Sequence, residues 1–147
     1  MAGRFEGDAT EPGLILVDSS VWIDFLNSGR GRAGDELERL IRSGAELVLA
    51  GVIVTEVLQG LRRDVAEVTR LLARWPLIEP TGFDTYVFAA SIFRHARARG
   101  VTLSTVDALL ASLAIEYQAS LFTLDKDFGG LAFSGLRLHE VGHDSRS

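Results

Sequence analysis

The sequence predicts an α/β domain with a mainly parallel central sheet and helices on both faces, on three observations. Short continuous apolar runs, LILV at 14–17, ELVLAG at 46–51 and SLFTL at 120–124, have the length and composition of strands buried on both sides. Between these runs apolar residues recur at helical intervals, and the links are short. The 147 residues, 47% hydrophobic and 24% charged, suit one compact domain with a sizeable core and rule out a disordered or collagen-like chain.

Taken in order, residues 1–13 are polar and aperiodic and are expected to form a flexible leader ending at Gly13. LILV is the first strand, with Asp18 at its C-terminal end. In SSVWIDFLN the spacing of Val21, Trp22, Phe25 and Leu26 predicts a helix. Leu37, Leu40 and Ile41 predict a second helix over about 35–42, closed by Gly44. ELVLAG is the next strand, and VIVTEVLQG a helix that follows almost without a loop and carries Glu56 at its middle. A further amphipathic helix runs over about 64–75 until Pro76 stops it, and LIEP gives a short extended segment or third strand.

From Asp84 to Arg99 the positions Val87, Phe88, Ser91, Ile92 and His95 follow the helical period, and Gly100 stands where a helix ends. Residues 105–117 form a capped helix, SLFTL another strand, and GLRLHEV an edge strand, before a polar tail over 142–147. There is no internal repeat or low-complexity linker.

Composition removes several chemistries. The absence of cysteine excludes disulfides, thiolate nucleophiles, iron–sulfur clusters and every cysteine-containing zinc site. No stretch has signal-peptide character or approaches the about twenty apolar residues of a membrane span, so a soluble cytoplasmic protein without a membrane partner is expected. The net charge of −5 is opposite to the basic balance that nucleic-acid binders often carry. All basic residues but Lys126 are arginines, which favour planar, bidentate partners. There is no G-x-S-x-G elbow and no glycine-rich phosphate loop. His95, His139 and His143 lie too far apart in the pattern for a shared zinc site and read as surface or helix-end histidines.

The acids are different, because four of them flank or interrupt hydrophobic segments where a carboxylate is costly without a role. Asp18 ends LILV, Glu56 interrupts VIVTEVL, Asp107 interrupts LSTVDALLAS and Asp125 follows SLFTL. Each also has a structural explanation. Asp18 can cap the helix that begins at Ser19, Asp107 can complete a capping box with Ser104, Asp125 can cap or turn the KDF segment, and Glu56 can lie on a solvated stripe. Together they fit a second role, since open parallel sheets gather ligands outside the carboxyl ends of their strands. Carboxylates converging there repel one another unless a divalent cation compensates them, and hard oxygen donors select Mg²⁺ or Mn²⁺ over zinc.

The segments VDSSVWIDFL, VTEVLQG, STVDALLASLA and LFTLDKDF, in this order and at these separations, resemble the four acidic motifs of the PIN-domain ribonucleases, most closely the VapC toxins of bacterial toxin–antitoxin modules. The resemblance covers 14–141, and four motifs in register make it specific where any one alone is weak. It implies a three-layer α/β/α PIN-like nuclease domain over those residues. Carried over motif by motif, the acids are Asp18, Glu56, Asp107 and Asp125, with Asp18, Asp107 and Asp125 as metal ligands and Asp127 as an auxiliary candidate for the fourth position. Ser20 and Thr123 match small hydroxyl positions that orient a carboxylate or a water. The stretch before Leu14 is longer than in most such toxins, a departure that leaves the site untouched.

The resemblance further implies an endoribonuclease that uses one or two Mg²⁺ ions, with Mn²⁺ as a substitute, and leaves a 5′-phosphate and a 3′-hydroxyl. Its implied partners are an RNA substrate, a cognate antitoxin and a second copy of the chain in a homodimer. Apolar helix surface at Val52–Leu58 and Val65–Leu72 can supply protein contacts, and Arg30, Arg32, Arg94, Arg97 and Arg99 can guide RNA. Arginines near a helix C-terminus also favour its dipole and solvate its face. Two other classes stay open at this point. An Asp-dependent phosphatase or phosphotransfer protein also places an Asp after its first strand, although a haloacid dehalogenase type expects a second Asp where Ser20 stands. A catalytically inert PIN-like binding module would keep the fold without cleaving RNA.

Overall fold

The computed structural model describes residues 13–142. Residues 1–12 of the leader expected over 1–13, residues 143–147 of the tail expected over 142–147, and His143 with them lie outside the described residues. The elements are β1 (Leu14–Val17), α1 (Ser19–Leu26), α2 (Arg32–Ser43), β2 (Glu46–Val48), α3 (Gly51–Gln59), α4 (Val65–Leu72), α5 (Phe83–Ala98), α6 (Thr105–Glu116), β3 (Ser120–Phe122) and a 3-10 segment (Lys126–Ser134).

The sheet has the order β2-β1-β3 and is parallel throughout, with Ile15 beside Leu47 and Ser120, and Leu16 beside Val48 and Leu121. Being central, β1 is covered on both faces. Ile15, Leu16 and Val17 are fully buried, each contributing roughly 1.5–3 kcal/mol by leaving water. The chain crosses from β1 to β2 on one side and returns past β1 to β3 on the other. Right-handed crossovers in opposite directions place helices on both faces, giving the three-layer α/β/α architecture. The two expected outer strands shrink to single parallel bridges, Leu49 with Leu77 and Leu121 with Leu138. At the first edge Pro76 and Pro80 lack the N–H groups a longer ladder needs.

Trp22 of α1 is fully buried and packs at 5.9 Å on Phe25 and 5.2 Å on Trp75, tying α1 to the segment after α4. The helix expected from Asp35 starts three residues earlier, at Arg32. The reason is remote: the Asp24 carboxylate of α1 accepts the N–H groups of Gly31 and Gly34, the latter at 2.7 Å, satisfying donors that a helix start leaves free. A Cβ on Gly34 would stand 3.0 Å from the Phe25 backbone, so this close crossing of α1 and α2 requires glycine. Gly44 at φ +77° ends α2, with its N–H on Ile41 O and that of Ala45 on Leu40 O.

The helix expected over 84–99 forms as α5, but its buried stripe is Thr85, Ala89, Ile92 and Ala96. Val87, Phe88 and His95 face outward instead. Small residues let α5 approach α6 closely, and the larger apolar side chains are left on the far side. The Ser112 hydroxyl of α6 donates to Thr85 O at 2.8 Å inside this joint, and Glu116 takes the hydroxyls of Thr81 and Thr85. The segment after β3 is helical from Lys126. Asp125 begins it by accepting the N–H of Asp127 at 2.9 Å, the turn that aspartate makes with backbone two residues on. Among the described residues no helix is long and apolar enough to cross a membrane.

Candidate active site

Asp18 leaves β1 at the point where the sheet order reverses. Its N–H donates to Phe122 O at 2.8 Å, so the β1–β3 ladder runs one residue beyond the strands and holds the Asp18 backbone rigidly. The side chain is buried and does not cap α1, which removes the structural explanation offered for it. Oδ2 instead accepts the hydroxyls of Ser20 at 3.0 Å and Thr123 at 2.8 Å. Both hydroxyls also accept a backbone N–H, Ser20 from Leu124 and Thr123 from Asp125, each at 3.0 Å. The turn after β3 is thereby tied to the start of α1, and the Asp18 carboxylate is fixed between them. Oδ1 accepts no hydrogen bond among the described residues.

Asp107 lies in the first turn of α6 and makes the expected capping box. Its N–H donates to Ser104 Oγ at 3.0 Å, and its Oδ2 accepts the Ser104 N–H at 3.3 Å. Burial pushes the Asp107 carboxyl above the ordinary aspartate value against the lowering effect of the Ser104 bonds, and the charges of Asp125 and Asp18 push it further. Carboxylates from β1, α6 and the turn after β3 therefore share one electrostatic environment.

Glu56 is half-buried on α3, and its Oε1 accepts the Ser19 hydroxyl at 2.9 Å. The residue next to Asp18 in the chain thus anchors the fourth acid, and Glu56 does not lie on a freely solvated stripe. Ser19 was not among the candidates read from the sequence, and its only signal was the adjacent pair of hydroxyls after Asp18. Asp127 is exposed and enters the site through its N–H, which holds Asp125.

Among the described residues no three carboxylates or imidazoles stand close enough to form a ready coordination shell. The donor chemistry nevertheless fits a hard divalent cation. Every candidate ligand is a carboxylate oxygen, Asp18 Oδ1 is free of hydrogen bonds among the described residues, and the repulsion from Asp125 and Asp18 that adds to the effect of burial on Asp107 is what such a cation relieves.

His139 is not a surface histidine. It is largely buried, its ring 4.9 Å from that of Phe122, and its Nε2 stands 2.7 Å from Glu36 Oε2. Glu36, itself buried, also takes two bonds from Arg39 at 2.7 and 2.8 Å. The Arg39 hydrogen bonds are the largest influence holding the Glu36 carboxyl below the ordinary glutamate value, against burial and with help from His139. This cluster fastens the last described segment to α2 and is separate from the four acids.

The PIN domain family model matches residues 15–134. Ribonuclease VapC11 of Mycobacterium tuberculosis is 31% identical over 123 residues, covering 81% of this chain and 92% of the relative. Among solved structures, VapBC2 of Rickettsia felis bound to a DNA fragment from its promoter matches with a TM-score of 0.68 at 15% identity, over 86% of this chain and 97% of that one. A toxin–antitoxin complex from Klebsiella pneumoniae matches with a TM-score of 0.65 at 21% identity, over 80% and 92%. With a parallel three-stranded sheet covered by helices on both faces and a family match over residues 15–134, the chain belongs to the PIN-domain family and, within it, to the VapC ribonucleases.

Proposed function

We propose that this protein is a metal-dependent endoribonuclease acting as the toxin of a cytoplasmic toxin–antitoxin pair. The observation that supports it most directly is the Thr123 hydroxyl, which donates to Asp18 Oδ2 at 2.8 Å and accepts the Asp125 N–H at 3.0 Å, so that two acids from separate elements are held by one side chain. In this reading Asp18, Asp107 and Asp125 would hold Mg²⁺, with Mn²⁺ as a substitute. When bound, the ion supplies charge stabilisation at the scissile phosphodiester and offsets the repulsion among its ligands.

The chain's own residues do the rest. Ser20 and Thr123 hold the Asp18 carboxylate in one orientation, so it need not reorganise as substrate arrives. Ser104 holds Asp107 at the mouth of α6, where the helix's N-terminal N–H groups favour negative charge. Glu56, with one oxygen bound to Ser19, keeps Oε2 to accept a proton from the attacking water. Water attacks phosphorus in line as the P–O3′ bond breaks, and the leaving 3′ oxygen takes a proton from solvent, giving a 5′-phosphate and a 3′-hydroxyl. No covalent protein intermediate is required.

The proposed protein partners are a second copy of the chain and a cognate antitoxin. On the outer face of α5 Phe83 is 81% and Tyr86 and Val87 are 52% exposed, and this face is the proposed homodimer contact. Val52 and Val65, on the helices singled out from the sequence, are also exposed and remain for the antitoxin. Incubating the purified protein with total RNA, with and without Mg²⁺ or Mn²⁺, tests the activity directly. Cation-dependent cleavage that disappears in Asp18→Asn is expected, and intact RNA under all conditions would leave an inert binding module.

A further inference from the structure

We propose that Lys126 is the residue that binds the scissile phosphate, beside Asp125 and Asp18. The proposal rests on the ribonuclease reading above and adds the cation that receives the substrate.

Charge sets the problem. Four ionised carboxylates, Asp18, Glu56, Asp107 and Asp125, leave two negative charges once one divalent ion is bound, and a phosphodiester adds a third. Binding a polyanion there calls for a positive side chain next to the acids. Within five positions of any of the four, the chain carries a single lysine or arginine, Lys126. It is also the one lysine of a chain whose other such residues are all arginine.

The structure fixes Lys126 at this place. The Thr123 hydroxyl donates to Asp18 Oδ2 at 2.8 Å and accepts the Asp125 N–H at 3.0 Å, and the Ser20 hydroxyl accepts the Leu124 N–H at 3.0 Å. Asp125 Oδ1 then accepts the Asp127 N–H at 2.9 Å, closing a turn around Lys126. The Lys126 backbone therefore follows directly on an acid that is itself tied to Asp18, and a flexible four-carbon stem carries the ammonium from that point.

No structural role accounts for this charge. Lys126 is exposed and forms no ion pair with either flanking aspartate or with any other carboxylate among the described residues. It is the first residue of the 3-10 segment, where the free N–H groups favour the negative charge of Asp125 and Asp127 and disfavour a cation. A residue that breaks a local rule without a local gain points to function. An unpaired ammonium meets a phosphate oxygen as a compact point charge. At the scissile phosphate it donates a hydrogen bond to a non-bridging oxygen, whose charge must be stabilised as water attacks and the P–O3′ bond breaks. It keeps its proton throughout and forms no covalent bond.

The test uses the full chain and exploits its lack of cysteine. Lys126→Met and Lys126→Cys are compared with wild type and the control Arg62→Gln in Mn²⁺-dependent cleavage of a short fluorescent RNA. The Lys126→Cys protein is also alkylated with 2-bromoethylamine, which rebuilds a primary ammonium at nearly the length of lysine, or with iodoacetamide, which adds a neutral amide. Both variants should melt no lower than wild type, because the charge opposes its own helical turn. If Lys126→Met melts low, Lys126→Gln takes its place. Cleavage should fall by about 100-fold in kcat/KM for both variants. The ammonium adduct should recover most of that loss and the amide adduct none, and the control should match wild type. In EDTA, Lys126→Met should bind the RNA more weakly, with a salt slope shallower by about 0.7 for the one phosphate contact removed. The Mn²⁺-induced rise in melting temperature should persist in Lys126→Met, since the lysine is not a ligand.

Wild-type kcat/KM in Lys126→Met, or equal recovery by the two adducts, would overturn the proposal and leave the ribonuclease reading intact. Loss of the Mn²⁺-induced rise would make Lys126 a support for Asp125 and likewise overturn it. A wild type that cuts no RNA with Mg²⁺ or Mn²⁺ would overturn the ribonuclease reading. An unchanged salt slope in EDTA would overturn the phosphate contact whatever the outcome for cleavage.

Discussion

Thr123 donates its hydroxyl to Oδ2 of Asp18 at 2.8 Å across 105 positions of chain, joining the end of β3 to the end of β1. The Thr123 hydroxyl oxygen also accepts the N–H of Asp125, so one side chain orients two of the four acids. Thr123→Val keeps the shape and deletes both bonds. It should lower stability by about 1 kcal/mol and RNA cleavage by roughly 10–100-fold. Thr123→Ser should restore cleavage. A valine variant that cuts RNA at the wild-type rate would deny the hydroxyl a positioning role.

Asp107→Asn separates capping from chemistry. The amide oxygen can still accept the Ser104 N–H, so a loss beyond about 1 kcal/mol is not expected from the cap. Removing a charge that burial, Asp125 and Asp18 all disfavour should leave the variant melting at least as high as wild type without added cation. Cleavage at saturating Mg²⁺ should nevertheless vanish, because a neutral amide cannot hold the ion against its hydration shell. Near wild-type activity in this folded variant would leave capping as its whole function.

Cation binding should be visible without RNA. Mn²⁺ at about 100 times its dissociation constant should stabilise the folded state by about 2.7 kcal/mol and raise the melting temperature accordingly. The rise should be absent in Asp18→Asn. Identical melting curves for wild type across millimolar Mn²⁺ would count against these acids as ligands.

Glu36 gives a pH dependence away from the site. Its carboxyl is held below the ordinary glutamate value, so the folded state favours the charged form. That stabilisation is complete above the unfolded glutamate range and is lost as the pH falls through it toward the lower folded value. Glu36→Gln should therefore destabilise the protein by roughly 1–3 kcal/mol at neutral pH. The gap between variant and wild type should narrow progressively below about pH 4.5. A gap that stays constant down to pH 3 would show that the Arg39 and His139 contacts contribute through packing alone.

The order of apolar runs and helical periods determined the α/β class, because burial on both faces leaves a period-free run at β1 and burial on one face leaves a 3.6-residue period in α2. The acids were legible for the same reason: Asp18, Glu56, Asp107 and Asp125 each break an apolar pattern. What the sequence left open were relations between distant positions. Asp107 closes the capping box with Ser104, while burial and the charges of Asp125 and Asp18 push its carboxyl above the ordinary aspartate value. The start of α2 depends on Asp24 from the preceding helix, and no local signal at Arg32 records a donor satisfied from seven to ten residues away. His139 finds Glu36 across 103 positions, and Ser19 finds Glu56 across 37. Which face of α5 is buried was likewise settled by α6, whose close approach selects the alanine stripe over the larger side chains that the period alone favoured. Periodicity reports whether a residue is covered, whereas hydrogen bonds between elements depend on where the sheet order reverses and brings their ends together, and that exists only once the chain has folded.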